Sequence, residues 1–162
     1  MRIGTGYDIH RLIPTVKIEK IPVGGIEIPC YYRVQAHSDG DVLIHALIDA
    51  CLGALALGDI GQWFPDSAKE HQDKRSLEFL EPVLQEIKKL GYRLKQVDST
   101  VFLEEPKLAP HSDAIRKTIA SAVGLELADV SVKAKTMEGL GPVGERKAIS
   151  SQVTVLLEEI RE

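Results

Sequence analysis

Residues Val42–Leu57 form the longest apolar stretch of the 162-residue chain, interrupted only by His45 and Asp49. Leu43, Leu47, Ala50 and Ala54 fall at helical spacing, and the other faces are apolar too. A helix apolar nearly all round must be buried, against a sheet or at a subunit contact. At about 16 residues with two polar interruptions it falls short of the roughly 20 needed to cross a bilayer. The preceding Ala36–Asp41 (AHSDGD) is a polar loop ending on Asp39 or Asp41, either of which can cap the helix. Gly58 is the expected stop.

Other segments are arranged around this helix. Met1–Asp8 reads as a strand, and Val16–Val23 alternates with a period near two, as a second strand does. Gly24–Gly25 is a turn signal, and Ile26–Pro29 a short strand after it. Asp59–Asp66 is a predicted loop. Lys74–Leu90 is an amphipathic helix through Leu77, Leu80, Leu84 and Ile87, with Pro82 predicting a kink or break and Gly91 a C-cap. Tyr92–Glu105 is a long strand, Pro110–Val123 a third helix closed by Gly124, and Val130–Ala134 and Ala148–Glu158 the last strands. The order predicts an α+β fold in one domain over residues 1–162, a single sheet with helices on one face. Its other face must be wet or meet other subunits, and the second option is favoured.

Composition narrows the function. The formal charge is −4, and no run of Lys or Arg forms a basic stripe, so no nucleic-acid partner is expected. Nor is a membrane partner. Cys30 and Cys51 are the only thiols and form no disulfide framework, which suits a reducing compartment. No N-terminal leader is visible in MRIGTGYDIH. There is no P-loop, no G-x-S-x-G and no C-x-x-C, and no nucleophile with its own activating base. Such a chain would position ions and phosphates.

Four constellations could do so. Asp8 and His10, two apart at a strand end, project to one face. With His45 they form a carboxylate and two imidazoles suited to Zn²⁺ with one position open, and Asp49, a turn beyond His45, is a candidate to orient its ring. Spacing alone leaves them equally readable as ordinary polar residues at strand ends. His37 and Ser38 precede a helix N-terminus and can hold a phosphate, or simply belong to a capped loop. Asp59, Ile60 and Gly61, with Phe64, Pro65 and Asp66, offer a carboxylate and open amides to a polyol, or cap turns. Glu105–His111 and Ala134–Glu138 follow strands of one sheet, so their ends could lie close. Lys107 and Lys135 bring charge, Thr136 a hydroxyl, and Glu138 an oxygen ligand for Mg²⁺. The alternative is two solvated turns.

Taken together, GTGYDIHR (Gly4–Arg11), GGIEIP (Gly24–Pro29), Ala36–Asp66, EPKLAPH (Glu105–His111) and VKAKTMEGLG (Val132–Gly141) closely resemble the 2-C-methyl-D-erythritol 2,4-cyclodiphosphate synthase family. A lone D-x-H is weak, but D-x-H with AHSDGDVLIHAL and ALGDIG is very specific. The resemblance implies a homotrimer with active sites between subunits and sheets packed around the axis. It implies Zn²⁺ on Asp8, His10 and His45, and Mg²⁺ or Mn²⁺ on Glu138. Asp8–His10, including Ile9, and His37–Ser38 would touch substrate, the latter pair at its phosphate. Asp59, Ile60 and Gly61 would hold the methylerythritol hydroxyls, with Phe64, Pro65, Asp66, Ser67 and Ala68 lining the pocket. Leu103, Glu104, Glu105, Pro106, Lys107, Leu108 and Ala109, with Lys135, Thr136, Met137 and Glu138, would form the neighbour's cytidine and phosphate pocket. His37 and Thr136 match the positions that stabilise the transition state.

The implied substrate is a cytidine diphosphate ester whose own 2-phosphate attacks the β-phosphorus and expels CMP, which accounts for the missing protein nucleophile. Zinc would polarise the β-phosphate, with the second ion bridging the α and β oxygens. Two departures stand out. Pro142 and Glu145 occupy places near the trimer axis where many members carry Phe and Arg, and Glu145 would repel an isoprenoid diphosphate there. Lys135 stands where Thr is common. No fused cytidylyltransferase-like domain is visible, so a single activity is expected, in the cytoplasm or, for a mature plant protein, the plastid stroma.

Overall fold

The computed structural model describes residues 1–65 and 74–160. Five strands form one sheet in the order β2-β1-β5-β3-β4. The strands are β1 (Arg2–Val23), β2 (Ile26–Gln35), β3 (Tyr92–Phe102), β4 (Val130–Lys135) and β5 (Ala148–Glu159). Helices α1 (Val42–Ala54), α3 (Ser76–Lys89) and α4 (Ser112–Val123) supply most of the helical part of the core, and α2 (Ile60–Trp63) and α5 (Gly141–Gly144) are single turns. β3 and β4 run parallel, and the other pairs are antiparallel. The α+β class expected from the element order is therefore the one found.

Several boundaries differ from the sequence reading. The two N-terminal strands are one, β1, which changes partner along its length. Arg2–Arg11 pairs with β5, and Arg11–Val23 pairs with β2 across a register shift between Pro14 and Glu19. The interruption visible in the sequence is that handover. β2 runs on past Pro29 to Gln35 because it is the sheet edge, where a residue without an N–H is tolerated. α3 continues through Pro82 to Lys89; Pro82 and Glu78, whose carbonyl loses its partner, both face solvent. α2 forms inside the predicted loop, capped by the Asp59 carboxylate accepting the Gln62 N–H at 2.9 Å.

α1 behaves as its composition requires. Apart from Asp49 and Gly53, every residue of Val42–Ala54 is buried. It stops before Gly58. Ala56 takes the left-handed conformation at φ 56°, and the Ala56 and Leu57 N–H groups donate back to Gly53 and Leu52. That is a Schellman closure made with alanine in the place usually given to glycine. No helix among the described residues is long and apolar enough to cross a membrane.

β1 lies directly beneath α1, and two glycines permit the approach. A Cβ on Gly4 would stand 1.9 Å from the Ala50 carbonyl oxygen, and one on Gly6 2.0 Å from that of Ala46. The GTG run and the small face of α1 (Ala46, Ala50, Ala54) are thus two halves of one contact. On the far side of β1, Ile3, Tyr7 and Ile9 project outward with 69%, 56% and 44% of their surface exposed.

Candidate metal and active site

Asp41 sets the height of α1 over the sheet. Its carboxylate accepts the Leu43 and Ile44 N–H groups of the first helical turn, each at 3.1 Å. It also accepts the N–H groups of Gly24 and Gly25, at 2.8 and 2.6 Å, in the turn between β1 and β2. Both glycines have positive φ, as the two central residues of a type I′ hairpin turn require. Of the two aspartates in AHSDGD, Asp41 is therefore the cap of α1. Asp39 does something else: it accepts the Ser76 N–H at 3.0 Å and the Ser76 hydroxyl, capping α3 from across the fold.

With α1 so placed, His45 hangs over the inward-facing row of β1 that carries Asp8 and His10, which lie in mid-strand rather than at the strand end the sequence suggested. Asp8 Oδ2, His10 Nε2 and His45 Nδ1 form a nearly equilateral triangle. The edges are 3.1 Å from His10 to Asp8 and 3.0 Å from His45 to each of the others. A tetrahedral ion with bonds of about 2.0 Å spaces its ligands by roughly 3.3 Å. These donors, two imidazole nitrogens and one carboxylate oxygen, fit a divalent metal in both chemistry and spacing. Burial alone would push the Asp8 carboxyl up, but hydrogen bonds with the His10 and His45 rings hold it well below the ordinary carboxylate range. The three side chains are 26%, 16% and 11% exposed, sheltered but not sealed from solvent.

The ring of His45 is not oriented by Asp49. Asp49 lies one turn on, but its carboxylate accepts the Ile60 N–H at 2.7 Å and anchors α2. Burial raises its pKa, partly offset by that N–H. His45 Nε2 instead meets Ser76 Oγ at 2.8 Å and Ser38 Oγ at 3.1 Å. Ser76 escaped the sequence reading because it lies 31 residues from His45 and begins an ordinary amphipathic helix.

Of the other predicted residues, Ser38 is brought to the triad, while His37 is exposed on the same loop. The Asp59 oxygens are engaged by the Gln62 N–H and side-chain amide at 2.9 Å each, and Ile60, Gly61, Phe64 and Pro65 follow on α2 and its exit. Phe64 stacks on Phe79 with ring centroids 4.8 Å apart. Asp66, Ser67 and Ala68 lie outside the described residues.

The ends of β3 and β4 do meet. Leu103 N–H donates to the Lys135 carbonyl at 2.9 Å, and the Met137 N–H to Glu104 Oε1 at 2.6 Å. Thr136 donates its hydroxyl to Glu138 at 2.8 Å, and Glu138 sits at φ 51°. Ile9 pairs with Ser150, Ser150 with Phe102, and Phe102 with Lys135. Three strand spacings, about 14 Å, thus separate this cluster from the triad within one chain. Glu145 pairs with Lys147 Nζ at 2.6 Å, and Arg146 with Glu105 at 3.1 Å.

A sequence profile of the YgbB family matches residues 1–158. The chain belongs to that family. The 2-C-methyl-D-erythritol 2,4-cyclodiphosphate synthase of Gloeobacter violaceus is 52% identical over 159 residues, covering 98% of this chain and 96% of that protein. The solved Plasmodium falciparum IspF complex with CDP superposes with a TM-score of 0.86 at 36% identity, covering 99% of this chain and 97% of that one. The bifunctional IspDF of Campylobacter jejuni superposes with a TM-score of 0.91 at 33% identity; 98% of this chain is covered, but it spans only 42% of that longer protein. The YgbB assignment thus rests on nearly the whole length, and the D-x-H, AHSDGD and ALGDIG segments fall within it.

Proposed function

We propose that this chain is a lyase that closes 4-diphosphocytidyl-2-C-methyl-D-erythritol 2-phosphate into 2-C-methyl-D-erythritol 2,4-cyclodiphosphate, releasing CMP. The observation that carries the reading is the Asp8, His10 and His45 triangle, its edges 3.0 to 3.1 Å, in a chain 52% identical to a synthase of that name. Zn²⁺ is the ion assigned to these residues, and Mg²⁺ or Mn²⁺ to Glu138. When bound, a divalent ion at the triad supplies a Lewis acid that draws charge from a phosphoryl oxygen.

The remaining work is alignment. A phosphate attacking a diphosphate within one molecule must bring two anions together, and holding both ends makes the step effectively unimolecular, worth about 7 kcal/mol or more. Ser38, which reaches the triad through His45, and its neighbour His37 would hold one phosphate, while Asp59, Ile60, Gly61 and the segment from Phe64 to Ala68 would hold the polyol. Leu103–Ala109 and Lys135–Glu138 would hold cytidine and its phosphates, with Thr136 steadying the group that departs.

The distance between this last cluster and the triad within one chain supports a site shared between subunits. The outward Ile3, Tyr7 and Ile9 support a homotrimer that covers them. The cytoplasm is the compartment inferred, with bacterial relatives such as that of Gloeobacter violaceus behind it.

Incubating the protein with the cytidine diphosphate substrate, zinc and magnesium tests the reading. A cyclic diphosphate plus CMP is expected. A ring-opened phosphate product would make it a hydrolase, and nucleotide binding without turnover a binding protein; either overturns the proposal.

A further inference from the structure

Behind the triangle runs a chain of groups that the activity above does not use. His45 faces Asp8 and His10 through Nδ1, each at 3.0 Å, so Nδ1 is the metal-binding atom. A neutral imidazole carries one proton, and a metal on Nδ1 requires that proton on Nε2. His45 Nε2 points the other way, at Ser76 Oγ, 2.8 Å off and fully buried at the start of α3. The Ser76 hydroxyl in turn donates to Asp39 Oδ1.

Asp39 is held firmly. Its Oδ2 accepts the Ser76 N–H at 3.0 Å, its Oδ1 the Asp41 N–H at 3.2 Å, and its own N–H donates to the Lys74 carbonyl at 3.1 Å. The donor directions are therefore determined end to end, from the His45 ring N–H through the Ser76 hydroxyl to the Asp39 carboxylate. Ser38 Oγ also lies 3.1 Å from His45 Nε2, but it is only half-buried and accepts the Gly40 N–H at 3.2 Å.

We infer that Ser76 and Asp39 are positioning residues for the metal. They lock His45 in the tautomer and orientation that present Nδ1, and the carboxylate at the far end makes that nitrogen a stronger donor. Ser38 is thereby left able to turn to a phosphate without releasing the ring. The inference rests on the metal reading of the triad and deepens it.

The test is zinc affinity of the metal-free, full-length protein, measured by competition with a chromophoric chelator. It is accompanied by the absorption spectrum of the cobalt(II)-loaded form and by thermal melting. Ser76→Ala is expected to bind zinc about tenfold more weakly and to alter the cobalt bands, with melting little changed. Ser76→Thr, which restores the oxygen, should return affinity to within about threefold of the parent. Asp39→Asn, which keeps the shape and loses the charge, should weaken binding by about threefold or more.

Equal affinity, within about twofold, in the parent, Ser76→Ala and Asp39→Asn overturns the inference. Should Ser76→Ala fail to fold, the other two decide. Ser76→Thr near the parent with Asp39→Asn weaker supports the relay; both alike, at the parent value or below it, overturns it. A parent protein that takes up no zinc, or takes it up as well after His45→Ala, overturns the metal reading itself.

Discussion

Substituting Gly6 by alanine tests the link between backbone packing and the metal triangle. The added Cβ would stand 2.0 Å from the Ala46 carbonyl oxygen and 2.7 Å from the Ala50 nitrogen, where real Cβ contacts begin at 3.0 Å. Both neighbours are helix backbone, which no side-chain rotation relieves. Either α1 or β1 must retreat by about 1 Å, at the 1–3 kcal/mol typical of overpacking. For a chain of this length that is roughly 2–12 °C of melting temperature. The retreat acts where it matters most. Asp8 is two residues beyond Gly6 on β1, and His45 is one residue before Ala46 on α1. The two His45 edges, now 3.0 Å, would open toward about 4 Å. Metal sites tolerate only about 0.2 Å of error in each bond, so zinc affinity should fall by at least about tenfold. Chelator competition and a thermal melt of parent and Gly6→Ala, side by side, measure both. Unchanged zinc affinity with melting within about 2 °C of the parent would refute the claim that the glycine contact sets the triangle.

Other substitutions probe other parts. Asp41→Ala removes a helix cap and leaves the Gly24 and Gly25 N–H groups without their acceptor, so a loss of about 3 kcal/mol or more is expected in urea unfolding; a loss under about 1 kcal/mol would show that other groups replace it. The Cys51 thiol, fully buried, is pushed up from its ordinary 9.0 to about 12 by burial. Folding therefore holds its proton more tightly than the unfolded chain does, and its contribution, complete below pH 9.0, declines as pH rises from there toward 12. Relative to Cys51→Ala, the parent should lose about 1.4 kcal/mol between pH 8 and pH 10, and parallel curves would contradict this. Tyr7→Glu places a charge on the outward face of β1 and should shift a trimer toward smaller species in sedimentation velocity; a protein that sediments as a monomer before the change would remove the reason for the apolar face. Thr136→Ala should lower kcat more than it raises KM, and an unchanged kcat would take the hydroxyl out of the reaction.

Local patterns were readable because they rest on the two periodicities of the backbone. D-x-H in a strand puts Asp8 and His10 on one face, whether the strand ends there, as the sequence suggested, or runs on to Val23, as β1 does. A helix apolar on nearly every side has to be covered, and α1 is. The hairpin glycines, the left-handed Gly124 closing α4, and the parallel β3 and β4 that bring Leu103 to Lys135 all follow from short-range chemistry or element order. Together with motif resemblance, these give the α+β class and bring out Asp8, His10 and His45 as candidate ligands, which the fold then places within reach of one ion.

What the sequence could not decide is which equivalent group takes which partner across the fold. Asp39 and Asp41 are both good caps in the same loop, yet one caps α1 and the other α3, a choice made by where β1, β2 and α3 converge. Asp49 has the spacing to serve His45 and is drawn off to α2, while Ser76, from a helix that spacing links to nothing, takes its place. The single strand β1 looks like two because its partner changes at Arg11, and partners are a property of the sheet. Hydrogen bonds between distant segments depend on distances of a few tenths of an ångström, set only when the whole core has packed, and a linear pattern carries no record of them.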